Sequence, residues 1–186
     1  MISAEKQSLR ARMTETLRAV GDAERAEKSA RIAGYLRGIG GVVFGFAPMR
    51  IEPDWTGAIG PEWLVALPRI DGNELRFHRV SDFSTLARGP FGTREPEAGE
   101  IIAPGRATVV LVPGVAFDRG GARLGRGGGF YDRLLTDASL TARRIAVCFA
   151  CQVVERVPVE PHDAEIDAIV TEDGWLEARS SGCDRG

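Results

Sequence analysis

Apolar residues follow two kinds of pattern along the chain. Leu9, Met13, Leu17 and Val20 recur three to four positions apart, which predicts a helix capped by Ser3 and running to Val20. Gly21-Asp22 breaks it. A second helix is expected with Ala26, Ala30, Ala33 and Leu36 inward, ended by Gly38 to Gly41. Beyond this point the apolar residues come in short runs: Val42 to Phe46, Trp63 to Leu67, Val109 to Val112, Ile145 to Phe149 and Ala168 to Thr171. Such runs suit strands buried on both faces, as parallel sheets require. Glu74 to Val80 alternates instead, like an edge strand exposed on one face, and His78 falls on its polar phase. Strands interleaved with helical segments predict an α/β fold, a three-layer domain with a mostly parallel central sheet flanked by helices. Residues 1–179 read as a single domain and 180–186 as a small, polar, frayed tail.

One stretch carries most of the chemistry. After Val109-Val110-Leu111-Val112, Pro113-Gly114 stops the strand, and seven glycines follow between Gly114 and Gly129 with Arg119, Arg123 and Arg126 among them. Phe130 to Leu135 then reads as the first turns of a helix. Strand, glycine-and-arginine loop and helix together suit an anion: glycines let backbone N–H groups approach closely, guanidinium groups donate charge-assisted hydrogen bonds, and a helix N-terminus adds partial positive charge. The common phosphate loops do not fit. There is no G-x-x-x-x-G-K-[ST], and Gly125-x-Gly127-x-Gly129 has the wrong spacing for G-x-G-x-x-G. A polyphosphate brings magnesium, which prefers carboxylates. Asp132 beside the loop is a candidate ligand, and Asp118 could cap the loop or reach a metal through water.

Pro113-Gly114-Val115-Ala116-Phe117-Asp118 followed by Arg123-Leu124-Gly125-Arg126-Gly127-Gly128-Gly129-Phe130-Tyr131-Asp132 resembles the signature of the 5-formyltetrahydrofolate cyclo-ligase (methenyltetrahydrofolate synthetase) family. Further resemblances lie outside it. Lys6-Gln7-Ser8-Leu9-Arg10 matches the family's K-x-x-[LI]-R, Gln152 its F-x-x-Q, and Glu95-Pro96 part of its G-[IL]-x-E-P, with Thr93 in place of an aliphatic residue. Phe46 stands where the family usually has Tyr.

The resemblance implies an ATP- and Mg²⁺-dependent conversion of 5-formyltetrahydrofolate to 5,10-methenyltetrahydrofolate. It implies nucleotide contacts from Lys6, Arg10, Arg123, Leu124, Gly125, Arg126, Gly127, Gly128, Gly129, Phe130 and Tyr131, with Arg123 and Arg126 catalytic. Folate contacts are implied for Glu52, Arg126, Gly127, Gly128, Gly129 and Tyr131, with Trp55 as an aromatic wall. Magnesium would fall to Asp132 and Asp163, with Asp167 as an alternative ligand. Arg69 is a weaker candidate for an anionic group, and His162 reads as a turn residue.

Composition narrows the alternatives. A formal net charge of −2 and the lack of a basic stripe interleaved with aromatics argue against nucleic acid. No apolar run approaches a membrane span, and no apolar leader is evident, so a cytoplasmic location is expected, and the chain is taken as a monomer. Cys148-Phe149-Ala150-Cys151 has no second pair to complete a zinc site and reads as a buried thiol with a neighbour. With two His and no G-x-S-x-G, no acyl-transfer triad is apparent. An ATP-dependent enzyme for another small molecule and a non-catalytic binding paralogue remain as rival readings, the latter prompted by Phe46 and Thr93.

Overall fold

The structure is a computed structural model and describes residues 2–178; the expected tail at 180–186 lies outside the described residues. Two helices open the chain, α1 (Ile2–Ala19) and α2 (Asp22–Leu36). The main sheet holds β1 (Gly41–Phe44), β2 (Trp63–Asp71), β3 (Glu74–Arg79), a short strand at Ile101–Ile102, and the later strands at Val109–Val112, Arg143–Val147, Ala168–Thr171 and Gly174–Glu177. Between β3 and Ile101 a small hairpin forms from β4 (Ala87–Arg88) and β5 (Arg94–Glu95). In chain order the strand at Ile101–Ile102 is thus β6 and that at Val109–Val112 is β7. β8 (Ala116–Asp118) and β9 (Arg123–Leu124) follow, then α3 (Phe130–Leu135), β10 (Arg143–Val147), β11 (Val153–Val154), β12 (Ala168–Thr171) and β13 (Gly174–Glu177).

The sheet order is β13-β12-β10-β7-β1-β2-β3-β6. β12, β10, β7, β1 and β2 are parallel, while β13, β3 and β6 add antiparallel edges. Numbered by their appearance in the chain, the five parallel strands lie in the order 2-1-3-4-5. The order reverses between β1 and β7, and the crevice outside the carboxyl ends of strands at such a reversal is where open α/β sheets bind ligands.

Strand pleating divides the core between the two faces. Val43, Val65, Leu67, Leu111, Ile145 and Val147 pack with Ile32, Ala33 and Leu36 of α2 on one side. Phe44, Ala66, Val110, Val112 and Ala146 pack with Leu134 and Leu135 of α3 on the other. Continuous apolar runs are therefore strands with both faces covered, which confirms the three-layer expectation. A third cluster joins Leu9 and Met13 of α1 to Val115, Ala116 and Leu124. Among the described residues, no helix is long and apolar enough to cross a membrane.

Five details differ from expectation. Ser3 lies inside α1 and is not its cap. Ala26 and Ala30 are exposed, and the inward set of α2 is Ser29, Ile32, Ala33 and Leu36. A serine on this stripe is satisfied by accepting from the Asp54 N–H at 3.1 Å. β3 is not an edge, because β6 pairs on its outer side. His78 is accordingly buried, with Nδ1 3.2 Å from the Gly99 carbonyl oxygen. Finally, part of the glycine-rich segment is itself a small sheet of β11, β8 and β9.

Candidate active site at the strand-order reversal

A cleft of about 450 Å³ opens at the carboxyl ends of β1 and β7, where Phe46 and Ala47 leave one strand and Pro113 and Gly114 leave the other. Gly125 to Asp132 form one wall. The opposite wall comes from Pro68, Ile70, Leu75 and the β4–β5 hairpin.

The glycine loop has the conformation its composition predicts at two positions: Gly127 (φ +103°) and Gly129 (φ +66°) lie in the left-handed region. Gly129 precedes α3, which has only six residues, so its macrodipole adds little and the charge comes from guanidinium groups. Arg126 is partly exposed and donates to Glu52 Oε1 from Nη2 (2.8 Å) and Nε (3.3 Å). Glu52 is 6% exposed, and its other oxygen accepts the Met49 N–H at 3.0 Å. Two expected site residues 74 positions apart are thus one buried-carboxylate pair. Arg123 is 5% exposed and points back into the loop, donating to Asp132 Oδ1 at 2.5 Å. The Tyr131 hydroxyl is buried among Glu52 and Arg123 without a hydrogen-bond partner. Burial, reinforced by the Glu52 charge, pushes its pKa far up, so the phenol stays protonated and is a donor awaiting an acceptor.

Arg10 reaches the loop from α1, Nε donating to the Gly125 carbonyl at 2.8 Å. Lys6, one turn earlier, is 6% exposed and lies between Asp163 (2.5 Å) and Glu160 (2.8 Å). Burial alone would raise the Asp163 pKa; the hydrogen bonds from Lys6 and the Glu160 N–H outweigh it, and the net direction is down. Glu160, His162 and Asp163 place one ligand atom each within 4.8 Å of one another. Asp132 is not part of this group; its carboxylate accepts from Arg123.

Several expected site residues lie elsewhere. Trp55 is fully buried in the first core, its indole N–H donating to the Phe46 carbonyl at 3.1 Å and its ring stacked on Trp63. It supports the cleft from behind and is not a wall of it. Leu124 is 1% exposed and packs on α1, so its side chain cannot contact a ligand in the cleft. Asp118 caps its own loop, accepting from Gly120, Ala122 and Val157 N–H groups. Asp167 accepts the Arg144 N–H at the amino-terminal edge of the sheet, opposite the cleft. Arg69 is exposed and donates to the Glu97 carbonyl. Gln152 is buried, taking the Phe149 N–H and donating to the Gly114 and Val115 carbonyls, which anchors the start of the loop. Cys148 and Cys151 are both free; burial raises both thiol pKa values, as expected of inert thiols.

Sequence reasoning missed the apolar wall and Glu160. Ile70 and Leu75 pair directly across the turn at Asp71 to Glu74, so both face the cleft. The turn residues Asp71-Gly72-Asn73 held that signal. Phe91, 80% exposed with a left-handed backbone (φ 58°), and Arg94 also line the cleft.

Comparison with known proteins identifies the family. The model of the 5-formyltetrahydrofolate cyclo-ligase family matches residues 59–172. A 5-formyltetrahydrofolate cyclo-ligase of Mycolicibacterium smegmatis is 35% identical over 181 residues, covering 89% of this chain and 93% of that protein. The solved structure of Aquifex aeolicus 5,10-methenyltetrahydrofolate synthetase superposes with a TM-score of 0.81 at 31% identity, over 97% of this chain and 96% of that one. A Mycoplasma pneumoniae 5,10-methenyltetrahydrofolate synthetase shares the fold (TM-score 0.71, 18% identity, 90% of this chain and 98% of that one). The strand-order cleft, its glycine-arginine wall and these matches lead to one conclusion: the chain is an enzyme of the 5-formyltetrahydrofolate cyclo-ligase family.

Proposed function

We propose that this enzyme converts 5-formyltetrahydrofolate to 5,10-methenyltetrahydrofolate and spends one ATP, releasing ADP and phosphate, in a magnesium-dependent reaction. The observation that carries the reading is the Arg126–Glu52 pair at the meeting of a glycine loop and an apolar wall. One side suits phosphate and the other a flat, partly apolar ring system with N–H donors for Glu52.

The chemistry asks for two steps. The formyl oxygen takes the γ-phosphoryl group, with ADP leaving, and yields an imidate phosphate. N10 of the folate then attacks the imidate carbon, and phosphate departs with the former formyl oxygen. The nucleophile belongs to the substrate, so the protein need only position both partners and neutralise the moving phosphoryl oxygens. Arg126, 41% exposed, has room to turn from Glu52 to those oxygens, and Glu52 then accepts from the folate ring. Arg123, locked on Asp132, holds the loop; Arg10 and the N–H groups of Gly125 to Gly129 cradle the polyphosphate. The protonated Tyr131 hydroxyl donates to a substrate oxygen or nitrogen.

The carboxylates fit a hard divalent cation, which takes oxygen ligands and retains waters. Asp163 and Glu160 already surround one cation, the Lys6 ammonium, and Asp132 stands at the cleft. Asp163 and Glu160 would hold Mg²⁺, which would supply positive charge to the polyphosphate. Lys6 would then turn toward the nucleotide.

The test is an absorbance assay for the methenyl product. Purified enzyme with 5-formyltetrahydrofolate, ATP and Mg²⁺ should form it, and omission of ATP or addition of a chelator should stop it. Product formed equally without ATP would overturn the proposal, and so would ATP affinity in the absence of any methenyl product.

A further inference from the structure

Arg133 lies on α3, one turn beyond Gly129; it is exposed and stands outside the cleft lining. Its guanidinium nevertheless ties two parts of the cleft together. Nε donates to the Asn73 carbonyl at 2.7 Å, and Nη2 donates to the Gly128 carbonyl at 3.1 Å. Asn73 belongs to the turn between β2 and β3, which is flanked by the apolar-wall residues Ile70 and Leu75. Gly128 belongs to the glycine wall. The same guanidinium lies over the Phe130 ring, 5.0 Å from its centroid, and Phe130 also lines the cleft. A Cβ on Gly129 would stand 2.9 Å from Arg133 Nη1, so glycine there leaves room for the guanidinium to close on the loop.

A run of glycines has many backbone conformations of similar energy, and a loop that must receive a ligand needs one of them selected. The peptide joining Gly128 to Gly129 is planar and trans, so its C=O and N–H point opposite ways. Arg133 draws the Gly128 carbonyl outward and thereby turns the Gly129 N–H to the other side, the side of the cleft. Resting on the reaction proposed above, we infer that Arg133 is a positioning residue: it anchors the glycine loop to the β2–β3 turn and selects the loop conformation that receives the polyphosphate. It acts through Gly128 and Phe130. Arginine suits the task because one planar fork serves two acceptors at fixed angles, whereas a lysine ammonium is a point charge on a flexible stem. Losing a charge-assisted anchor of this kind should weaken ATP use roughly tenfold.

The experiment compares wild type, Arg133→Ala and Arg133→Lys by steady-state kinetics, thermal melting and hydrogen exchange read by mass spectrometry. In Arg133→Ala, KM for ATP should rise roughly tenfold while KM for 5-formyltetrahydrofolate changes by less than about threefold. Arg133→Lys keeps the charge and loses the fork, so it should resemble the alanine variant. Without any substrate, the amides of Gly127 to Phe130 should exchange faster in both variants than in wild type. A lysine variant with the wild-type KM for ATP would show that charge alone suffices, and overturns the inference. A lowered melting temperature with unchanged KM for ATP would make Arg133 merely structural and overturns it too, as does loop exchange equal to wild type. Absence of methenyl product from wild type overturns the reaction proposed above; the exchange arm needs no turnover and still decides whether Arg133 holds the loop.

Discussion

Lys6→Met removes the ammonium between Asp163 and Glu160 and keeps the stem length. Lys6 and Asp163 are nearly buried (8% and 12% side-chain exposure), while Glu160 is 37% exposed. Removing one partner of a buried pair costs roughly 3–5 kcal/mol. Partial exposure of Glu160 allows water to take over there, so about 2–3 kcal/mol is expected at pH 7. For a domain of this size that corresponds to a fall in melting temperature of about 4–12 °C. The sign of the pH dependence follows from Asp163. Its folded pKa is depressed, so its pairing contributes stability that is fully present above the unfolded value of about 4 and is lost as pH falls through the folded value. In the variant the buried carboxyl has lost its cation and titrates higher. The stability deficit should therefore be largest near neutrality and shrink as pH falls toward 4. Melting by calorimetry from pH 7 to pH 4 reads both effects. An unchanged melting temperature at pH 7, or a deficit that is the same at every pH, would refute the reasoning. The same variant should weaken ATP binding with Mg²⁺, measured by titration calorimetry, if Lys6 also serves the nucleotide.

Trp55→Phe tests whether the indole is core or wall. It should lower stability by about 2–3 kcal/mol through lost volume and the lost bond to the Phe46 carbonyl, with KM for the folate changed less than about twofold. A large KM effect with unchanged melting would return Trp55 to the cleft. Gly127→Ala places a side chain at φ +103°, where little but the Arg10 guanidinium is near, so the strain is in the backbone. A cost of about 1–2 kcal/mol and a rise in KM for ATP are expected. Gln152→Leu removes three hydrogen bonds that hold Gly114, Val115 and Phe149. It should destabilise by about 2–4 kcal/mol and lower kcat, readable by denaturant titration and steady-state kinetics.

Strands at Val109–Val112 and Ala168–Thr171 were legible because both of their faces are covered, which leaves an unbroken apolar run. The strands of two or three residues at β4, β5, β6, β8 and β9 were not, since so few positions show no period. Lys6 was expected beside Arg10 as a nucleotide contact, a role that says nothing of its burial. It lies on the buried stripe of Leu9, Met13 and Leu17, which only the acidic partners more than 150 positions away make tolerable. Trp55 was expected as a wall of the folate site. Gly45 explains its true place: a Cβ there would lie 2.4 Å from the indole Cζ2, so glycine leaves the space that the ring fills. The loop chemistry was legible because glycine and arginine state their uses locally. The partners they choose, Glu52 for Arg126 and Asp132 for Arg123, depend on which strands neighbour one another.

The central claim is that the formyl oxygen is phosphorylated by ATP before the ring closes. Substrate labelled with ¹⁸O in the formyl group, turned over in unlabelled water with ATP and Mg²⁺, reads this directly. The account predicts one ¹⁸O in each phosphate released, seen by mass spectrometry, in step with methenyl formation. Phosphate carrying only unlabelled oxygen would mean that ATP is hydrolysed by water and that the phosphoryl group never reaches the folate.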